Sequence, residues 1–172
     1  PDRDLSFKKG IPMTIKVGDK MPSGTMHTMT ADGPAEVSTD ELFSGKKVVL
    51  FSVPGAFTPT CSAKHLPGFV NHAGDIKAKG VDTIACMAVN DAFVMGAWGE
   101  HQNAGDKVMM LADGNADYSK ALGLELDLTG VAFGMRGKRF SLLVNDGVVE
   151  QVNVDEDGFS STSAETMLEQ LG

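Results

Sequence analysis

Three short runs of apolar residues stand out along the chain, and each is bounded by charged or turn-forming residues. They are Val48 to Val53, Thr83 to Val89 and Val108 to Leu111. Continuous apolar runs of this length are typical of strands that a sheet buries on both faces. The pattern therefore predicts a sheet whose central strands are covered on both sides.

The segments between these runs have helical periodicity. One apolar stripe at spacings of three and four consists of Leu66, Phe69, Val70, Ala73 and Ile76. We expect Pro67 to kink this helix near its start, and Asp91 to cap a second helix that runs through Trp98. Two strand–helix–strand passages result, and such passages connect parallel strands.

Turn residues predict two hairpins. Asp32-Gly33-Pro34 separates runs at Thr25 to Thr30 and Glu36 to Ser38. In the last third of the chain, Asn145-Asp146-Gly147 separates Phe140 to Val144 from Val148 to Val154. The second hairpin adds antiparallel strands to a sheet that begins as a parallel one.

A closing helix completes the pattern. Thr162 and Glu165 have the spacing of a capping box, and Met167, Leu168 and Leu171 would face inward. This order of elements predicts an α/β protein with a mixed central β-sheet flanked by helices, as in thioredoxin-like folds. We expect residues 1–172 to form one domain, because the length suits one core, with residues 1–14 as an extended or disordered arm.

The charge balance excludes several partners. Fifteen Lys and Arg residues stand against 23 Asp and Glu residues, for a net charge of −8 and a pI near 4.9. Without a basic stripe we expect no nucleic-acid partner, and the acidity also disfavours an anionic membrane surface. No apolar run approaches the ~18 residues that span a bilayer, so we expect no membrane partner.

The two cysteines, Cys61 and Cys86, lie 25 residues apart and match neither a CxxC motif nor a zinc pattern. Two cysteines do not make a disulfide framework. We therefore expect a reducing compartment, the cytoplasm or an organelle matrix after removal of a transit peptide. We predict no metal and no cofactor.

The segment after the first apolar run carries the candidate chemistry. It reads Pro54-Gly55-Ala56-Phe57-Thr58-Pro59-Thr60-Cys61, and the amphipathic helix follows directly. Cys61 should therefore lie in a first helical turn, where free N–H groups and the helix dipole favour a thiolate. Thr58 is close enough to offer its hydroxyl to the sulfur or to a substrate, and Pro54 and Pro59 stiffen the loop.

An isolated cysteine is more often a small buried hydrophobe than a reactive group. The strand–turn–helix context reverses that preference for Cys61. Cys86 lies in the middle of an apolar run, and there we expect an inert, buried thiol.

These residues resemble a known family. The pattern PxxxTxxC, filled by Pro54, Thr58 and Cys61, is similar to the active-site motif of peroxiredoxins, which are AhpC/TSA-like redoxins. The longer stretch PGAFTPTCSAKHLPGF resembles the peroxiredoxin-5, or type II, class, as do VNDAFVMGAW and GKRFSLLVNDG. The resemblance covers roughly residues 15–171.

The resemblance implies an α/β thiol peroxidase in which Cys61 is oxidised by hydroperoxides and Arg139 supports it. A guanidinium would hold the thiolate and donate to the peroxide. Arg136 and Lys138 are nearby rivals that only the family pattern sets aside. His65, one helical turn after Cys61, is conceivable as a general base or metal ligand, but we expect a structural role.

The implied cycle converts the Cys61 thiolate to a sulfenic acid, which a second thiol must resolve. Animal members of the class carry a resolving cysteine before the last helix, but residues 155–163 here contain none. We therefore predict a single-cysteine mechanism with glutathione and glutaredoxin, or thioredoxin, as the external reductant.

The resemblance also implies a homodimer through the face that bears the active-site loop, with Phe57 and Trp98 exposed there. From sequence alone, the alternative that both aromatic residues are internal is equally good. Two other functions remain open: a peroxide-sensing redox switch or chaperone, and a non-catalytic thioredoxin-like binding module.

Overall fold

The computed structural model describes residues 14–172. Its strands are β1 Thr25–Thr30, β2 Gly33–Ser38, β3 Lys47–Ser52, β4 Thr83–Ala88, β5 Met109–Ala112, β6 Glu125–Leu128, β7 Gly134–Gly137, β8 Arg139–Asn145 and β9 Val148–Asp155. Its α-helices are α1 Thr39–Phe43, α2 Leu66–Ala78, α3 Ala92–His101, α4 Asp117–Ala121 and α5 Ala164–Leu171. A π-helical turn, Cys61–His65, precedes α2, and a 3-10 turn covers Thr129–Val131.

A seven-stranded mixed sheet has the order β2-β1-β5-β4-β3-β8-β9. The strands β3, β4 and β5 are parallel, as the two strand–helix–strand passages predicted. All other neighbours in this sheet are antiparallel. The predicted α/β architecture with a mixed sheet is thus confirmed, and both hairpins occur in it.

Side chains of the central strands alternate between two apolar cores, one on each face of the sheet. Val49 and Phe51 of β3 pack with α2, α3 and α5, whereas Val48 and Leu50 pack with α1 and α4. All four are fully buried. This is why the strand sequence is continuously apolar: a strand with helices on both faces has no side that faces water.

The helix predictions are largely confirmed. All five residues of the apolar stripe are buried in α2, and the Asp91 side chain accepts a hydrogen bond from the Val94 N–H at the start of α3. Pro67 follows the junction at which the π-helical turn becomes the α-helix, a position that suits a residue without an N–H donor.

Some boundaries differ from the predictions. Ser163, not Thr162, is the N-cap of α5 and accepts from the Thr166 N–H, so the predicted capping box is wrong. Thr162 instead donates its hydroxyl to Asp155, which outcompetes the helix terminus for it. In α5, Met167 is fully buried, while Leu168 and Leu171 are partly buried against the same core.

The sequence pattern did not predict the shortest helices and strands. The helices α1 and α4 have five residues each, and the strands β6 and β7 of the two-stranded sheet have four each. Elements this short show no clear hydrophobic periodicity in the sequence. The segment before β1 is attached to the edge of β9, because the Gly18 N–H donates to Val149 and the Val149 N–H donates to Asp19. Residues 1–13 of the predicted arm, residues 1–14, lie outside the described residues.

Within residues 14–172, no helix combines the length and the apolar character that crossing a bilayer requires.

A close approach of α3 to β1 gives a test of this packing. A Cβ on Gly96 would lie 2.8 Å from the Met29 Cβ, which cannot move without its backbone. Gly96→Ala should therefore lower the free energy of unfolding by about 1–3 kcal/mol in urea titrations.

Gly74→Ala in the middle of α2 is the matched control, because nothing lies within 4 Å of its Cβ position. Alanine is the better helix former, so this variant should gain up to about 1 kcal/mol. Equal stabilisation by both substitutions would contradict the close contact.

Candidate active site

Cys61 lies where the loop after β3 turns into a helix. The helical run begins at Pro59, and Cys61 is the first residue of the π-helical turn that leads into α2. The predicted position in a first helical turn is thus confirmed. The side chain is only 1% exposed, but its surroundings are not purely apolar.

Polar contacts fasten the loop that leads to Cys61. The Ala56 N–H donates to the Asn90 side chain at 2.9 Å, and Arg136 donates to the carbonyl oxygens of Pro54 and Val89, both at 3.4 Å. Pro54, predicted to stiffen the loop, thus also serves as an acceptor within it. These contacts tie the loop to the connection after β4 and to β7.

Thr58 uses its proton within the loop. Its hydroxyl donates to the Gly55 carbonyl at 2.7 Å, so the oxygen lone pairs, rather than the hydrogen, are available to other groups. The Thr58 carbonyl accepts from the Ser62 N–H at 2.9 Å and so starts the helical hydrogen bonds. A role for this hydroxyl at the sulfur stays a prediction.

Arg139 reaches the sulfur from the neighbouring strand. The antiparallel register pairs Ser52 of β3 with Phe140 of β8, so the first residue of β8 lies at the sheet end from which the Cys61 loop departs. The Arg139 Nη2 lies 3.2 Å from the Cys61 Sγ. The structure therefore brings together two predicted site residues that are 78 positions apart in sequence.

The Arg139 guanidinium is buried, with 8% of the residue exposed. Within residues 14–172, the ion pairs within 4.0 Å involve Lys16, His72 and Lys138, and none involves Arg139. A buried charge is costly unless an opposite charge or hydrogen bonds compensate it. Its compensating contacts among the described residues are those with the Cys61 sulfur and the His65 ring.

His65 contacts the second terminal nitrogen of the Arg139 guanidinium. The Arg139 Nη1 lies 2.8 Å from His65 Nδ1, and His65 Nε2 lies 3.0 Å from the Thr162 carbonyl oxygen. The imidazole is fully buried. Burial, with the positive charge of Arg139, lowers the pKa of His65 to about 3, so the ring stays neutral at physiological pH.

Asp155 organises the loop that supplies the Thr162 carbonyl. Its carboxylate accepts hydrogen bonds from the N–H and hydroxyl groups of Ser160, Ser161 and Thr162. Burial acts to raise the pKa of Asp155, but these hydrogen bonds outweigh it and hold the pKa below its ordinary value. The carboxylate is therefore ionised and holds this loop against the site.

Aromatic rings enclose the imidazole. The ring centroids of Phe51, Phe69 and Phe159 lie 4.9, 5.7 and 5.0 Å from that of His65. Phe159, from the loop organised by Asp155, also lies 5.8 Å from the Arg139 guanidinium carbon. These rings line the His65 side of the Arg139 guanidinium with apolar surface.

The rivals of Arg139 lie elsewhere. Arg136 donates a hydrogen bond to the Pro54 carbonyl of the loop, and Lys138 forms an ion pair with Glu156 at 3.0 Å. Cys86 is fully buried in β4, as predicted, and burial raises the pKa of its thiol well above the ordinary value. Among the described residues, no group of three or more His, Cys, Asp or Glu side chains is arranged to hold a metal ion.

The expectation that Trp98 is exposed is wrong. Phe57 is 52% exposed, but Trp98 is fully buried and donates from its indole Nε1 to the Ser62 hydroxyl at 3.0 Å. Trp98 thus braces the turn that carries Cys61. Phe57 has a left-handed backbone (φ 63°).

Sequence reasoning missed Asp155, Thr162 and Phe159 as parts of the site. They lie about 100 residues after Cys61, and only the approach of the α5 entrance to His65 joins them to it. The stretch of hydroxyl residues after Asp155 resembles an ordinary polar loop, so the sequence offers no signal for this role.

A buried thiol held by a guanidinium at a helix start, at the end of the central strands of a mixed sheet, is typical of a thiol-based redox protein. Comparison with known proteins agrees. The Redoxin family model matches residues 16–168. The chain is 53% identical to "Peroxiredoxin-2E-2, chloroplastic" of Oryza sativa subsp. japonica, over 92% of this chain and 73% of the relative.

Two further matches narrow the class. "Peroxiredoxin-2B" of Arabidopsis thaliana is 47% identical over 91% of this chain and 98% of the relative. The crystal structure of reduced Prx3 from Vibrio vulnificus in complex with H2O2 has a TM-score of 0.89 and 50% identity, over 92% of this chain and all of that one. The chain therefore belongs to the Redoxin family; it is a type II peroxiredoxin, a thiol peroxidase with a thioredoxin-like fold.

The hydrogen bonds of Asp155 with Ser160, Ser161 and Thr162 predict how the stability of the fold depends on acid pH. Folding lowers the pKa of Asp155 from its ordinary value of 3.8. The ionised carboxylate therefore stabilises the native state at any pH above 3.8, and this stabilisation is lost as the pH falls through the lower pKa of the folded protein. Asp155→Asn should lower the free energy of unfolding by about 2 kcal/mol at pH 7, and the gap to wild type should close in strong acid.

Urea unfolding between pH 7 and pH 2 would measure this gap. Asp127→Asn is the control, because Asp127 is exposed and accepts only from Thr129. A gap for Asp155→Asn that persists unchanged in strong acid would contradict the assignment.

Proposed function

We propose that this protein reduces hydrogen peroxide and alkyl hydroperoxides through a Cys61 sulfenic acid, with an external thiol as reductant. The observation that carries the proposal is the Arg139 Nη2 placed 3.2 Å from the Cys61 sulfur in a buried site. The crystallised relative from Vibrio vulnificus, a complex with H2O2, supports the choice of substrate.

In the oxidation step, the thiolate attacks the terminal oxygen of the hydroperoxide. A sulfur–oxygen bond forms, the O–O bond breaks, and its electron pair leaves on the departing oxygen, which takes up a proton to become water or an alcohol. Sulfur is oxidised to sulfenic acid and the peroxide is reduced. The Arg139 N–H groups stabilise the negative charge on the departing oxygen, and Thr58 and Pro54 shape the loop beside it.

Resolution requires a thiol from outside the chain. Residues 155–163 contain no cysteine. Cys86 is fully buried in β4 with a raised pKa, which leaves it protonated and a poor nucleophile. An incoming thiol such as glutathione forms a mixed disulfide with Cys61 and releases water, and a second thiol, from glutaredoxin or more glutathione, then frees Cys61. Thioredoxin is the alternative reductant.

The proposal includes a reducing compartment, the cytoplasm or an organelle matrix. Both cysteines of the described residues are free, and the external reductants named above act in such compartments.

The proposal also includes a homodimer. Phe57 lies in the active-site loop and is 52% exposed, and Phe133 is 50% exposed. Phe133 is tied to the loop because Arg136 binds the Phe133 carbonyl and the Pro54 carbonyl together. Exposed aromatic rings are typical of a contact with a second subunit.

Stopped-flow kinetics test the chemistry, with the fluorescence of Trp98, the single tryptophan, as the signal. Cys61→Ser should abolish peroxide reduction. Arg139→Gln should slow the oxidation step roughly 10²- to 10³-fold, the usual effect of removing one donor to a developing negative charge.

Cys86→Ala is the matched control and should keep a rate close to that of wild type, since no step uses this thiol. The reductant is assigned by steady-state peroxide consumption with glutathione and glutaredoxin, or with thioredoxin. Consumption of one peroxide per chain and no more, with every reductant, would contradict turnover and favour a redox switch.

Sedimentation equilibrium tests the dimer. Phe133→Ser should shift the equilibrium toward monomer, since an aromatic ring in an interface contributes strongly to binding. Val17→Ser is the control, because Val17 is also an exposed apolar residue, at 60% exposure. It lies next to the segment that pairs with the start of β9, at the opposite end of the sheet from Arg139. A wild type that stays monomeric at high concentration would refute the dimer.

A further inference from the structure

The turn that carries Cys61 has a π-helical hydrogen-bond register. The Leu66 N–H donates to the Cys61 carbonyl, a spacing of five residues that defines a π-helix. In an α-helical register the same N–H would donate to the Ser62 carbonyl, at a spacing of four. The choice that this one donor makes between two carbonyls therefore decides how the turn is wound.

This register takes from the Ser62 carbonyl both helical donors that it could use. Its α-helical partner, the Leu66 N–H, is bonded to Cys61. Its π-helical partner would be residue 67, which is Pro67 and has no N–H. Backbone carbonyls in folded proteins are almost always paired, so this oxygen needs a donor from another element.

Gln102 supplies that donor from the end of α3. Its side-chain Nε2 lies 3.1 Å from the Ser62 carbonyl oxygen, and because a carbonyl has no hydrogen, the amide N–H donates. The Gln102 main chain is itself fixed, since its N–H donates to the Trp98 carbonyl at 2.9 Å. The missing bond of the π-helical turn is thus provided by a side chain held on a neighbouring helix.

The register of the turn sets the direction of the sulfur. Each residue of an α-helix turns the chain by roughly 100°, so removal of the extra residue of the π-helical turn would rotate Cys61 by about that angle relative to α2. The Cys61 sulfur and the Arg139 Nη2, which lie 3.2 Å apart, would then separate. We propose that Gln102 is a positioning residue that holds this turn in its π-helical register and thereby keeps the Cys61 sulfur against Arg139.

The competition between the two registers gives the physical reason. With Gln102 in place, the Ser62 carbonyl is paired and offers little to the Leu66 N–H. Without Gln102, that carbonyl would be unpaired and would attract the Leu66 N–H, which favours the α-helical register. A single side-chain amide can therefore decide between two windings of the same segment.

The other contact to Ser62 cannot take over this role. The Trp98 Nε1 donates to the Ser62 hydroxyl at 3.0 Å, but a hydroxyl is carried by a rotatable side chain and can keep this bond while the backbone shifts. The Gln102 amide bonds to the main-chain carbonyl, which is the atom for which the two registers compete.

Three substitutions of Gln102 test the donor. Gln102→Leu keeps the approximate size but removes the N–H, and the oxidation rate should fall roughly 10- to 100-fold, as when a reacting group is misplaced by about 1 Å. Gln102→Glu has nearly the same shape but only accepts, so it should behave like the Leu variant. Gln102→Lys keeps a donor and should stay close to the wild-type rate.

Gln170→Leu is the matched control, because it removes a partly buried amide at a distance from the turn. Gln170 exchanges hydrogen bonds with Asn153 at 2.7 and 2.9 Å, so this variant should lose stability but keep its oxidation rate. Near-ultraviolet circular dichroism checks that each variant is folded.

A second background tests the reason for the missing bond. Pro67→Ala restores a backbone N–H at the π-helical partner of the Ser62 carbonyl, so the loss of rate caused by Gln102→Leu should be smaller in that background. An equal loss in both backgrounds would contradict the role of Gln102 as the replacement for a backbone donor.

Two further measurements separate the register from simple packing. Ultraviolet absorbance of the thiolate should titrate at higher pH in Gln102→Leu, because the sulfur loses its contact with the Arg139 guanidinium. In NMR spectra, coupling through the hydrogen bond should join the Leu66 amide nitrogen to the Cys61 carbonyl carbon in wild type and to the Ser62 carbonyl carbon in Gln102→Leu. A wild-type coupling to Ser62 would overturn the proposal, as would a folded Leu variant with an unchanged rate and titration.

The inference rests on the proposed peroxidase chemistry, but the two fail in different ways. If wild type did not reduce peroxide, the proposed function would fail, while the NMR coupling and the thiolate titration would still report on the register that Gln102 holds.

Discussion

A buried guanidinium that is paired with a sulfur instead of a carboxylate is the constraint on which this site depends. Removing an arginine charge from water is expensive unless the groups around it compensate for the lost hydration. In this protein the compensation comes from the Cys61 sulfur and a neutral imidazole. The charge of Arg139 is therefore directed at one atom, and the surrounding structure serves to keep it there.

The arrangement of the sheet makes this contact geometrically simple. The antiparallel pairing of β3 with β8 brings the end of one strand beside the start of the other, so the loop that carries Cys61 meets Arg139 at one end of the strands. The π-helical turn then points the sulfur inward, and Trp98 braces that turn through Ser62. The loop after β9, organised by Asp155, closes the far side of the site through Thr162 and Phe159.

Prediction from the sequence succeeded where one interaction dominates a long segment. The buried strands and the stripe of α2 are long enough for their periodicity to be unambiguous, and the turn chemistry at Asn145-Asp146-Gly147 marked the second hairpin. It failed where elements are short or where a residue has two competing partners. Thr162 has the spacing of a helix cap, but its hydroxyl donates to the charged Asp155 instead of capping the helix. Ser163 is therefore the N-cap of α5.

The amino-acid sequence alone determined the local features of this protein: the helical start at Cys61, the stiff loop before it, the buried nature of Cys86 and, through the family motif, the family itself. Such features depend on neighbours within a few residues, which a sequence displays directly. Tertiary structure alone decided that Trp98 is internal, that His65 contacts the second guanidinium nitrogen of Arg139, and that the Thr162 carbonyl, 97 residues from His65, lies against its ring. Those choices depend on which distant groups share a desolvated space, and folding brings such groups together without leaving a local pattern.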